Sequence, residues 1–93
     1  MIACKKTRLT EAGNIVGHSA MLHWILFENT ETSAYSATLN DATSSTTGEV
    51  IKLSAPASTT IVIPFDPPMP FLIGIRISAF GHANVRIVGG YTD

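Results

Sequence analysis

Thr59-Thr60-Ile61-Val62-Ile63-Pro64-Phe65 and Phe71-Leu72-Ile73-Gly74-Ile75-Arg76-Ile77-Ser78-Ala79 are the stretches that decide the fold of this chain. In both, large apolar side chains recur at every second residue: Ile61, Ile63 and Phe65, then Ile73, Ile75 and Ile77. Successive side chains of an extended chain point to opposite faces, so this period lines one face of a β-strand. A helix would place its apolar residues three and four apart. The same alternation continues outward in Tyr35, Ala37 and Leu39, in Ile51 and Leu53, and from Val85 to Val88. The expected fold is all-β: a single antiparallel β-sandwich, jelly-roll-like, of about seven short strands.

Between these runs lie clusters of turn residues. Asp66-Pro67-Pro68-Met69-Pro70 lacks most of its amide donors, which predicts a stiff extended crossover between sheets. Asp41 to Gly48 contains only small or polar residues and reads as a mobile connection. Gly81 to Asn84 reads as a hairpin turn, and Gly89-Gly90 as a loosened backbone near the end. Residues 1–13 hold few apolar anchors and form an N-terminal arm or edge strand, with the sandwich domain spanning 14–93. A first short strand is expected over Ile15 to His18, with Gly17 marking a bulge.

Met21 to Glu28 is the clearest central strand, because it is apolar on both faces. Unbroken alternation puts Leu22, Trp24 and Leu26 on one face and Met21, His23, Ile25 and Phe27 on the other. A strand apolar on both faces must be covered twice, once by the facing sheet and once by something else. Met21, His23, Ile25 and Phe27 are therefore the expected interface residues, and the basic cluster Lys5, Lys6 and Arg8 reads as a short solvated arm or, as a further part of the interface, an arm lying on an acidic neighbouring subunit.

Of the 93 residues, 45% are hydrophobic and only 14% charged, against about 25% charged in an average soluble domain, so Ser, Thr and Ala fill surface positions. Net charge is −1, which is not the basic footprint that nucleic-acid binding requires. The longest apolar run, Met21 to Phe27, falls far short of the ~20 residues of a membrane helix. Cys4 is the single cysteine, so no intrachain disulfide forms, and synthesis in a reducing cytoplasm is expected.

Catalytic motifs are lacking: there is no Gly-x-Ser-x-Gly elbow, P-loop or Gly-x-Gly-x-x-Gly. His18, His23 and His82 match no zinc-ligand spacing. No catalytic residue, cofactor or metal ligand is expected, and no enzymatic activity. Trp24, Tyr35 and Tyr91 are the aromatic side chains available for a sugar-stacking platform.

The segments follow in a particular order: Leu22 to Leu26 ending in Asn29-Thr30, Leu39 to Asp41, a Ser/Thr loop from Ser44 closing at Gly48, Ala55-Pro56-Ala57 before an Ile-rich strand, Pro70-Phe71 through Gly74-Ile75, and Val85 to Tyr91. This order resembles small all-β virion proteins of tailed bacteriophages, which decorate or cement capsids. The resemblance implies a virion location, partners among the major capsid or other virion proteins, and a homo-oligomer, a trimer above all. The His23-Trp24 pair and the diproline Pro67-Pro68 depart from that pattern. A host-surface or glycan-binding module and a tail, neck or fibre component are the alternatives.

Overall fold

A computed structural model describes residues 4–44, 48–81 and 84–93. The described residues form eight strands: β1 (Lys5–Leu9), β2 (Glu11–Val16), β3 (Ala20–Asn29), β4 (Tyr35–Asp41), β5 (Glu49–Ala55), β6 (Thr59–Phe71), β7 (Ile75–Gly81) and β8 (Val85–Thr92). They assemble into two four-stranded antiparallel sheets, ordered β1-β8-β3-β6 and β2-β7-β4-β5. The pairings nest: β4 with β5, β3 with β6, β2 with β7, β1 with β8. The chain is thus one long hairpin, folded over so that successive rungs fall alternately in the two sheets.

One hydrophobic core draws on both sheets. Leu22, Ile25, Phe27, Phe71, Val85 and Ile87 come from the first; Ile15, Leu39, Leu53, Ile75 and Ile77 come from the second. Burying each such side chain contributes about 1.5–3 kcal/mol. Phe27 meets Phe80 of the facing sheet edge to face, with ring centroids 5.9 Å apart. Phe80 reaches inward because Ala79, at φ 54°, breaks the alternation after Ile77. Asn29 ties the ends of the two sheets together. Its buried amide donates to the carbonyl oxygens of Ser33 (2.9 Å), Ala55 (3.2 Å) and Pro56 (3.0 Å), while its Oδ1 accepts from Glu31 N at 2.9 Å.

Several expectations are corrected. In β3, Leu22 pairs with Tyr91 and Trp24 with Gly90, so β3 carries one extra residue, His23, against β8. Such a bulge reverses the alternation beyond it. Ile25 and Phe27, expected to face outward, are wholly buried in the core, and Trp24 and Leu26 face out instead. The proline segment is no crossover: β6 runs through it and stays in the first sheet. As an edge strand bonded only to β3, β6 tolerates prolines, whose missing N–H groups remove no central ladder bond. The crossing between sheets falls instead between Phe71 and Ile75.

Strands β7 and β8 lie in different sheets, so the 81–84 link is not a hairpin; His82 and Ala83 lie outside the described residues. In β2 the register shifts fall between Glu11 and Gly13 and between Asn14 and Val16, while Gly17 lies beyond the strand end. Gly89 and Gly90 form the middle of β8 rather than a slack end. A Cβ on Gly89 would sit 2.5 Å from Ile15 Cδ1, and one on Gly90 would sit 2.2 Å from Trp24 Cε2. The two glycines thus seat a side chain on each face of the sheet.

Gly90→Ala should therefore cost about 1–3 kcal/mol in urea unfolding, the usual penalty of overpacking. In a Trp24→Ala background most of that cost should vanish, since the indole is what the new methyl meets. Equal costs in both backgrounds would mean that Gly90 is needed for some other reason.

Candidate functional site

Two apolar surfaces stand out. The first is the tip where β4 ends beside the β6–β7 connection. Leu72 and Ile73 are 81% and 58% exposed, although large apolar side chains are ordinarily withdrawn from water. Their backbone is held in place by Asp41. Its Oδ2 accepts from Leu72 N at 3.1 Å, and its Oδ1 accepts from Ile73 N at 2.9 Å and Gly74 N at 3.3 Å. Ala42 N donates to Gly74 O at 3.2 Å, and Asp41 N to Gly48 O at 2.8 Å. Asp41 and the buried Ala42 thus anchor the start of the segment expected to be a mobile connection; residues 45–47 of it lie outside the described residues.

Partial burial pushes the Asp41 carboxyl upward, but the backbone N–H groups of Ile73, Leu72 and Gly74 outweigh it and hold the carboxyl below its ordinary value. Beside the tip runs a groove of about 240 Å³ lined by Met21, Pro70, Phe71, Leu72 and Asp93. Asp93 forms an ion pair with Lys5 and lies 3.6 Å from His18 Nε2. The hydrogen bond from Lys5 holds the Asp93 carboxyl down, and the same bond raises the Lys5 ammonium.

The second surface is the outer face of the first sheet. Cross-strand register sets Arg8, Val88, Leu26 and Val62 in one row, Lys6, Gly90, Trp24 and Pro64 in the next, and Arg86, Glu28 and Thr60 in a third. Its centre is apolar, and Val62 is 59% exposed. Arg86 pairs with Glu28 at 3.2 Å, whereas Lys6 and Arg8 have no carboxylate partner among the described residues. Where β6 jumps from Pro64 to Met69 against β3, a cleft of about 450 Å³ opens, lined by Cys4, His23, Trp24, Pro64, Asp66 and Pro68 among others. His23 Nε2 lies 2.9 Å from Thr92 Oγ1.

The corresponding side of the second sheet is polar by contrast, with Asn40 and Ser78 themselves withdrawn from water. Ser78 Oγ donates to Asn40 Oδ1 at 2.6 Å, and Arg76 Nη1 donates to Asn14 Oδ1 at 3.3 Å and Thr43 O at 3.4 Å.

The seven expected interface residues are therefore divided. Met21 and Lys5 lie by the tip groove, His23, Lys6 and Arg8 on the outer face, and Ile25 and Phe27 in the core. Trp24, Tyr35 and Tyr91 make no common platform, because both tyrosines pack against the core. Among the described residues no group of three or more His, Cys, Asp or Glu side chains is placed to hold a metal ion. Ile73, expected on one strand face with Ile75 and Ile77, lies instead in the connection before β7 and is exposed, because Asp41 holds the backbone there; Leu72 and Asp41 escape periodicity. The signal for them is Gly74, which interrupts the apolar run, together with Pro70 just before it. Comparison with protein-family models, curated proteins and solved structures finds no match to this chain.

The Asp41 clamp has a pH signature. Its folded-state value lies below the ordinary 3.8, so the folded protein binds fewer protons than the unfolded chain between the two values. The stabilisation is complete above pH 3.8 and fades as pH falls through the lower, folded value. Asp41→Asn should lose on the order of 1 kcal/mol at pH 7, after allowance for solvent screening. The gap between wild type and variant, followed by thermal melts, should close on acidification below that window; a gap independent of pH would refute the clamp.

Proposed function

We propose that this chain is a non-enzymatic structural protein of a bacteriophage virion, a jelly-roll β-sandwich that decorates the capsid and stabilises the head through protein–protein contacts. The nested pairing of β1 with β8, β2 with β7, β3 with β6 and β4 with β5 supports the jelly-roll reading, an architecture used by viral capsid domains. The observation that carries the functional reading is the braced tip. Leu72 and Ile73 are offered to solvent on a backbone held by three hydrogen bonds to one carboxylate.

A rigid apolar protrusion loses little conformational freedom on docking, which leaves more of its burial energy for binding. Covering the two side chains supplies about 1.5–3 kcal/mol each, repeated at every copy on a particle. A protein that binds the assembled head and not its separated subunits stabilises the head by mass action. Its partners in this reading are the major capsid protein or other virion proteins, and it acts as a homo-oligomer.

Carbohydrate binding is the second reading, favoured by the cleft on the first sheet. There Trp24 supplies an apolar aromatic surface beside the Asp66 carboxylate and the His23 imidazole, and a sugar presents both apolar C–H groups and hydroxyls.

Purified protein incubated with undecorated phage heads should bind them, visible by electron microscopy, and raise the temperature at which they open. Leu72→Asp with Ile73→Asp should abolish the gain while the free protein stays folded, because an uncompensated carboxylate in the contact costs several kcal/mol. Binding that survives the double change would remove the tip from the contact. No binding to heads, together with retention on a glycan array that Trp24→Ala abolishes, would favour the carbohydrate reading.

A further inference from the structure

The outer face of the first sheet is an apolar centre with a patterned rim. We propose that this face is covered by a second copy of the chain, related by a twofold axis that lies in the interface and runs along the strands. The inference goes beyond the proposed function and does not depend on it.

An axis along the strands keeps each cross-strand row level and reverses the strand order, so β1 of one copy lies over β6 of the other and β8 over β3. Val88 then meets the second copy's Leu26, and Arg8 meets its Val62 edge. Arg86 lies over the second copy's Glu28, merging two ion pairs into one cluster of alternating charge. Lys6, in the row of Pro64, comes over the middle of β6, two residues from Asp66. Asp66 is exposed and lines the cleft on this same outer face. Lys6, which has no carboxylate partner among the described residues, thus comes near the Asp66 carboxylate of the opposite edge, and the arrangement is reciprocal, as an isologous interface must be. The other twofold axis, across the strands, would stack β1 on β1 and set Lys6 and Arg8 against themselves.

Size agrees with this. Four strands about 4.8 Å apart and the ten residues of β3 at about 3.3 Å each make a face on the order of 600 Å² before side-chain relief is counted. Each partner of a standard interface buries roughly 800 Å². Two twisted sheets also stack readily with their strands within about 30° of each other.

Light scattering coupled to size exclusion, on the full chain at tens of micromolar, should give twice the 9.9 kDa chain mass. Val62→Asp, at a position already exposed, should raise the dimer dissociation constant at least tenfold without changing the circular dichroism spectrum. Lys6→Asp alone and Asp66→Lys alone should each weaken the dimer severalfold, and the two changes combined should restore it. That rescue reports the strand-parallel axis independently of the apolar variant. A monomer or a trimer for the unmodified chain, an unshifted dissociation constant in Val62→Asp, or the absence of rescue would each overturn the proposal. A monomer that still binds phage heads would leave capsid decoration standing without the twofold interface, and a dimer that binds no heads would leave the twofold interface standing without capsid decoration.

Discussion

The extra residue in β3 is the constraint from which the rest of the architecture follows. Between Leu22 and Trp24 the chain inserts His23 against β8, so Leu22, Ile25 and Phe27 all reach the core although the spacing from Leu22 to Ile25 is odd. Without the bulge, strict alternation would bury Trp24 and Leu26 and push Ile25 and Phe27 into water. On its other side β3 faces a larger irregularity, since β6 sets four residues, 65–68, opposite His23 alone, and the cleft beside Trp24 opens there. One local irregularity thus determines which apolar set is core and which is surface. Gly90 completes the arrangement, since only a residue without a Cβ leaves room for the indole opposite it.

Polar side chains do the corresponding work at the ends of the sheets. Asn29 is buried at the end of β3, and its amide satisfies carbonyls in two separate connections. Asp41 performs the complementary task at the end of β4, taking up three N–H groups of the β6–β7 connection. A buried or crowded backbone group without a partner is costly, so these two residues keep tight connections compatible with a dry core. The consequence at Asp41 is a surface feature: the connection is held so that Leu72 and Ile73 project outward.

The two sheets carry opposite exteriors. The second carries polar side chains that partner one another: Ser78 and Asn40 are withdrawn from water and bonded together, and the half-buried Arg76 reaches Asn14 and Thr43, although its Nε has no partner among the described residues. The first presents Trp24, Leu26, Val62 and Val88, with Lys6 and Arg8 on one edge strand, Asp66 on the other and the Arg86–Glu28 pair between them. An apolar, half-buried sheet face of this kind gains free energy when covered.

The sequence by itself determined the all-β class, most strand positions and the existence of a second apolar face on β3, because period-two alternation and proline or glycine punctuation are local properties of the chain. Tyr35, Ala37 and Leu39, and Ile51 and Leu53, read correctly for that reason. What alternation does not carry is a change of phase. The bulge at His23 and the positive φ at Ala79 each reverse the pattern once, and both are selected by pairing with distant strands. Proline tolerance in β6 likewise depends on its edge position, and the packed state of Gly89 and Gly90 depends on Ile15 and Trp24, partners far away in the chain. The identity of the surface residues, the clamp of Asp41 on residues 31 to 33 positions further on, and the nested strand order were decided by tertiary contact alone.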